Sequence, residues 1–161
     1  SKKNIIIRLN MLLFIRGKKM QTIKELVTNK KLYTVKSGST IYDVVKYMAA
    51  HNFGLVPVLD DSNRLVGVFS ERDLVRRVID KDLDIKTTII DDVMSTELTV
   101  ANINDSYELC LKKMASSKVR HILVLDNDKL VGVVSIRDLF EIDRNFMKET
   151  IEVLNNYIYS A

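Results

Sequence analysis

Two short runs in this chain place a hydroxyl and a carboxylate three residues apart behind a glycine. They are Gly67-Val68-Phe69-Ser70-Glu71-Arg72-Asp73 and Gly132-Val133-Val134-Ser135-Ile136-Arg137-Asp138. Each crosses from an apolar, strand-like stretch into one that reads as a helix. A serine at a helix start lies beside unpaired N–H groups and the positive end of the dipole, which favours a phosphate. An aspartate one turn in can accept hydrogen bonds from two vicinal hydroxyls, the geometry that a ribose presents. The glycine would let the backbone approach a ligand closely. Ser-x-x-Asp is also an ordinary N-cap pattern, although Glu or Gln is the commoner partner there. One isolated copy favours capping; two copies in register favour recognition.

The register comes from an internal repeat. Residues Leu65 to Leu74 recur as Leu130 to Leu139, an offset of 65. Upstream the offset is 66, matching Val58-Leu59-Asp60 to Val124-Leu125-Asp126 and Met48-Ala49 to Met114-Ala115. The change falls in Asp/Asn-rich turns, where length varies cheaply.

The elements that must position the two corners read alike in both copies. A short strand (Leu32 to Val35; Leu98 to Val100) leads into a helix. Apolar residues at helical spacing are Ile41, Val44, Val45 and Met48 in the first copy and Leu109, Leu111 and Met114 in the second. Asp105 with Glu108 reads as a capping box for the second of these helices. Two hairpins follow, Leu55 to Leu59 with Leu65 to Phe69, and Ile122 to Leu125 with Leu130 to Val134. Pro57 has no N–H, so its strand should pair on one side only at that point. A second helix begins at Glu71 or Ile136.

The unit is β-α-β-β-α and the predicted class is α+β. One unit buries too little apolar surface to stand alone, so two copies packed sheet to sheet should share one core. The expected divisions are a basic and apolar extension at 1–19, a first repeat at 20–80, a polar link at 81–87, a second repeat at 88–143 and a helical extension at 144–161.

Composition narrows the chemistry. The net charge of +4 comes from residues 1–19, which carry six of the 25 basic side chains and no acidic one; the remainder has 19 basic against 21 acidic residues. A surface that tracks a nucleic-acid backbone should itself be basic, so that class is disfavoured except through the tail. The apolar run Ile5 to Ile15 is interrupted by Arg8 and Asn10 and falls short of the roughly 20 residues of a spanning helix. With one cysteine, Cys110, an internal disulfide and a paired-thiolate zinc site are excluded, and a reducing cytoplasm is the expected compartment. Cys110 lies amid apolar helix residues and reads as a buried thiol, not a nucleophile. No P-loop, dinucleotide fingerprint or His-Glu-x-x-His occurs, and two histidines form no base–nucleophile constellation, so neither catalytic residues nor a catalytic cofactor are expected.

The repeat, the Val56-Pro57-Val58 strand and Gly-h-h-Ser-x-x-Asp (h apolar) in both halves resemble a pair of cystathionine-β-synthase (CBS) domains, a Bateman module. The resemblance runs from about Thr22 to Asp143. It implies two repeats about a pseudo-twofold axis, two clefts between them, and a regulatory adenosine ligand (AMP, ADP, ATP or S-adenosylmethionine). It also implies a homodimer acting on an unidentified regulated protein. Carried over by position, one cleft would place Ser135 and Asp138 on phosphate and ribose, with Thr34, Val35, Phe53, Gly54 and Leu55 around the base and Arg120, His121 and Arg137 at the phosphate end. The other would use Ser70, Arg72 and Asp73, with Thr99, Val100 and Val119 around the base. Val119 stands where the first repeat has Phe53, so the Ser135/Asp138 cleft is expected to be the stronger site. His51, at a helix end, reads as a surface residue suited to the dipole. The rivals are a ligand-free structural dimerisation module and a nucleic-acid binder acting through the tail.

Overall fold

The chain is described by a computed structural model covering residues 22–159. The expected extension at 1–19 lies outside these residues.

The first repeat contains helix α1 (Lys24–Thr28), strand β1 (Val35–Lys36), helix α2 (Ile41–His51), strands β2 (Leu55–Leu59) and β3 (Leu65–Ser70), and helix α3 (Glu71–Asp73). Helix α3 runs on into π-helical turns over Leu74–Ile79, closed by Asp80 N–H to the Val75 carbonyl at 2.9 Å. The second repeat has a 3₁₀ turn (Ile90–Asp92), β4 (Val100–Asn102), α4 (Tyr107–Ser117), β5 (His121–Asp126), β6 (Lys129–Ser135) and α5 (Ile136–Tyr159). The predicted C-terminal helical stretch is the continuation of α5. Each repeat forms a three-stranded sheet, ordered β1-β2-β3 and β4-β5-β6, with its first pair parallel and its second antiparallel.

Pro57 shortens the first sheet. Its counterpart Leu123 donates its N–H to the Thr99 carbonyl at 3.0 Å and pairs with Val100. Pro57 cannot make that bond, so β1 meets β2 only at Val35–Val58 and Lys36–Leu59 while Pro57 pairs with Val68 on the other side. The expected first strands, Leu32 to Val35 and Leu98 to Val100, begin and end earlier than those observed, Val35–Lys36 and Val100–Asn102.

Two cores replace the single one expected. In the first, Ile41, Val44, Met48, Val56, Val58 and Phe69 pack with Ile90 and Val93; in the second, Tyr107, Cys110, Met114, Ile122, Val124, Val134 and Leu139 pack with Ile23 and Val27. The opening segment of each repeat is thus exchanged onto the other repeat. The anchors are equivalent: Ile23 N–H donates to the Asp105 carbonyl (3.1 Å) and Ile90 N–H to that of Ser39 (2.9 Å).

This exchange gives the two glycines their function. A Cβ on Gly67 would lie 2.3 Å from Met94 Sδ, and one on Gly132 would lie 2.6 Å from Val27 Cγ1. Both glycines make room for the exchanged segments; Gly132 also lines a cleft between the repeats, whereas Gly67 lines none of those clefts.

Two further expectations are corrected. The buried stripe of α4 is Tyr107, Cys110 and Met114, while Leu109 is 40% exposed. The N-cap of α4 is Ser106, which accepts from Leu109 N–H at 3.2 Å, and Asp105 instead binds Asn102 N–H and Lys113 Nζ.

Candidate functional site

At both corners the serine and aspartate clasp each other. Ser70 Oγ accepts from Asp73 N–H (3.3 Å), and Asp73 Oδ2 accepts from Ser70 N–H (2.9 Å) and Oγ–H (2.7 Å). Ser135 and Asp138 repeat this with distances of 3.2, 2.8 and 2.9 Å. These are capping boxes with aspartate in the third position. The first helical amides are also taken: Glu71 N–H donates to the Gly54 carbonyl (2.9 Å) and Ile136 N–H to that of Arg120 (2.8 Å). The helix-start amides expected to be free for a phosphate thus have partners at the first and third helical positions, and an anion placed here would draw on side-chain cations.

Capping consumes one oxygen of each carboxylate. The other, Oδ1, meets a cation: Lys30 Nζ at Asp138, and Arg77 Nε at 3.4 Å from Asp73. Burial opposes charge on Asp138, but bonds from Lys30 and from Ser135 prevail and hold its carboxyl below the usual 3.8.

Each corner borders a cleft walled by the opposite repeat. The Ser135/Asp138 cleft has a volume of about 200 Å³ and brings together Phe53, Gly54, Leu55, His121, Ser135 and Asp138 of the expected set. Thr34, Val35, Arg120 and Arg137 do not line it. Val35 packs toward the first core, and Arg137 is exposed on α5. Their places are taken by Lys30, Lys31, Leu32 and Tyr33. Tyr33 was missed by one residue of register: Val35 pairs with Val58 as Ala101 pairs with Val124, so Tyr33 corresponds to Thr99. Its ring joins a cluster with Tyr47, His51 and Phe53, centroids 4.5–6.4 Å apart. His51 is exposed in the last turn of α2, with Nδ1 2.9 Å from the Tyr47 carbonyl.

The Ser70/Asp73 cleft is larger, about 460 Å³, and gathers Ser70, Arg72, Asp73, Thr99 and Val119. Val100 does not line it. Arg76, Arg77 and Arg120 do, so four arginines stand against Glu71, Asp73 and Glu97. Arg76 and Arg77 come from the π-helical turns. Among the described residues no cluster of side chains is arranged to hold a metal ion, and no helix is long and apolar enough to cross a membrane.

His121, Leu55 and Gly54 line both clefts. Burial pushes the His121 imidazole below its ordinary 6.5, with Asp138 opposing and Arg120 reinforcing the shift.

The CBS-domain family model matches residues 23–80 and 90–145. The CBS domain-containing protein YhcV of Bacillus subtilis is 33% identical over 120 residues, 74% of this chain and 84% of the relative. A conserved protein of Pyrococcus horikoshii, 31% identical in sequence, superposes with a TM-score of 0.71 over 78% of this chain and 94% of its own. The CBS domain pair of protein MJ0100, solved with 5′-methylthioadenosine and S-adenosyl-L-methionine, shares the fold at a TM-score of 0.67, covering 81% of this chain and 98% of its own, with 21% identity. Two matched copies, two three-stranded sheets and an exchanged opening segment on each make this chain a member of the CBS-domain family, with the domain in tandem.

Proposed function

We propose that the chain is a regulatory module that senses an adenosine nucleotide in the clefts between its repeats. The observation that carries this is the pairing in each cleft of a Ser/Asp corner from one repeat with strand-start residues of the other. The Ser70/Asp73 cleft, at about 460 Å³, has the size of ordinary small-molecule sites, about 300–1,000 Å³. Its four arginines suit a polyphosphate such as ADP or ATP. The Ser135/Asp138 cleft offers the rings of Tyr33 and Phe53 to a purine and Lys30, Lys31 and His121 to a phosphate. The bound adenosine compounds of MJ0100 support the ligand class, with S-adenosylmethionine as the alternative occupant.

Occupancy acts on a regulated protein, in the cytoplasm, through a homodimer. Val75 and Ile79 after α3 and Phe140, Met147 and Ile151 on α5 are all more than half exposed, apolar side chains that a second copy would cover. The competing reading, a scaffold with unused clefts, draws on the capping boxes, in which serine and aspartate already satisfy each other. Calorimetry with AMP, ADP, ATP and S-adenosylmethionine on nucleotide-free protein decides between them. Micromolar-range binding weakened by Asp73→Asn or Asp138→Asn supports sensing; no heat from any of the four refutes it.

A further inference from the structure

Lys30 pairs with the carboxylate that the sensor reading gives to a ligand's sugar. It follows α1 by two residues, and α1 is seated on the second repeat, which brings the ammonium to Asp138 across 108 positions of sequence. Because Oδ2 of Asp138 is held by Ser135, Oδ1 is the oxygen left for incoming hydroxyls, and Lys30 already has it. Sugar and lysine compete for one atom. The cleft's volume with Lys30 in place, about 200 Å³, lies below the usual small-molecule range of about 300–1,000 Å³.

The other corner differs. Arg77 approaches Asp73, but it also donates to the Val93 and Met94 carbonyls at 3.2 and 2.9 Å. Displaced from the carboxylate, Arg77 keeps partners. Among the described residues, the Lys30 side chain has Asp138 alone.

We propose that Lys30 is a specificity-determining residue of the Ser135/Asp138 cleft: a ribose displaces its ammonium from Asp138, and only a ligand carrying its own anionic group gives that ammonium a new partner. The inference rests on the sensor reading of this cleft. A neutral nucleoside takes the carboxylate and leaves the half-exposed lysine without a counter-ion, beside the like charge of Lys31 in the cleft wall. A phosphorylated nucleoside exchanges one ion pair for another, because the phosphate replaces the carboxylate as counter-ion. The cleft therefore selects AMP over adenosine, and a charge internal to the protein does the selecting.

The test is calorimetry of AMP and of adenosine against the full chain, with Asp138→Asn used to identify the heat that belongs to this cleft. In wild type AMP binds more tightly than adenosine. Lys30→Met should narrow the AMP-to-adenosine preference by about five-fold, the size expected of one partly exposed ion pair, through tighter adenosine and weaker AMP. Lys30→Arg, which keeps the charge, should preserve the preference. An unchanged preference in Lys30→Met, with Asp138-dependent binding intact, overturns the role of Lys30 and leaves the sensor reading standing. Absence of Asp138-dependent heat from both ligands in wild type overturns the sensor reading of this cleft and the inference with it.

Discussion

Leu55 and His121 begin the central strands of the two repeats at equivalent positions, and each lines both clefts. With Gly54 they are the residues that the two clefts share. What happens to the imidazole is felt on both sides.

Burial favours neutral His121 in the folded protein, so its native pKa lies below the unfolded value near 6.5. The unfolded chain takes up the proton first as pH falls. Stability is fully present above that value and is lost as pH drops through the lower native one. His121→Leu, which makes the two repeats alike at this point, should flatten the fall in Tm between about pH 7 and pH 5. Thermal melts across that range check it, and an unchanged slope would place the acid sensitivity elsewhere.

The glycines test the exchange of opening segments. Gly132→Ala pushes a methyl into the β-branched Val27, and Gly67→Ala pushes one into Met94, whose unbranched side chain can swing away. Overpacking of this kind costs about 1–3 kcal/mol. Gly132→Ala should fall at the upper end and Gly67→Ala at the lower, by urea denaturation. Trimming Val27 to alanine should then recover part of the Gly132→Ala loss, a coupling that independent sites would not show.

How far sequence reached, and where it stopped, follows from the same residues. The hairpins and Ser-x-x-Asp corners were legible because turn composition and strand-to-helix switching are local signals. The exchange was not. Ile23 and Ile90 look like ordinary helix-start apolars, and nothing local says that each serves the other repeat's core. Helix α4 could have been read better from the repeat itself. Thr40, the N-cap of α2, lies 66 residues before Ser106, and that alignment points to Ser106 over Asp105. Lys30 left no motif at all, since its partner is 108 residues away.

Pro57 offers a reversible experiment. Pro57→Leu supplies the N–H that Leu123 uses in the second sheet, and should lengthen β1 by bonding the Tyr33 carbonyl. A net hydrogen bond is worth about 1 kcal/mol. Losing the proline's restraint on the unfolded chain costs about 0.4–1 kcal/mol. Stability should therefore change by less than about 1 kcal/mol. Hydrogen exchange gives the sharper answer: the amide at position 57 should be protected, and a fast-exchanging amide would refute the pairing.

Cys110 is fully buried, and burial pushes its thiol up to about 11, with Asp105 adding to the rise and Lys113 opposing it. Thiolate is scarce at neutral pH and the sulfur is out of reach. A disulfide reagent at pH near 8 should label it only at the rate of unfolding, and addition of urea should release the reaction. Immediate labelling of native protein would contradict the packing of α4 on its sheet.

The crossed seating of the opening segments sets an order of events during synthesis. Residues 22–28 are translated ahead of both sheets and find their seat last, because the surface that receives Ile23 and Val27 includes Leu139. The first sheet, with all its strands made by residue 70, waits for Ile90 and Val93 to close over it. A ribosome that stalls between the repeats would hold a nascent chain with greasy residues bare at both ends, prey for chaperones and proteases. Neither half can be released as a finished product of its own.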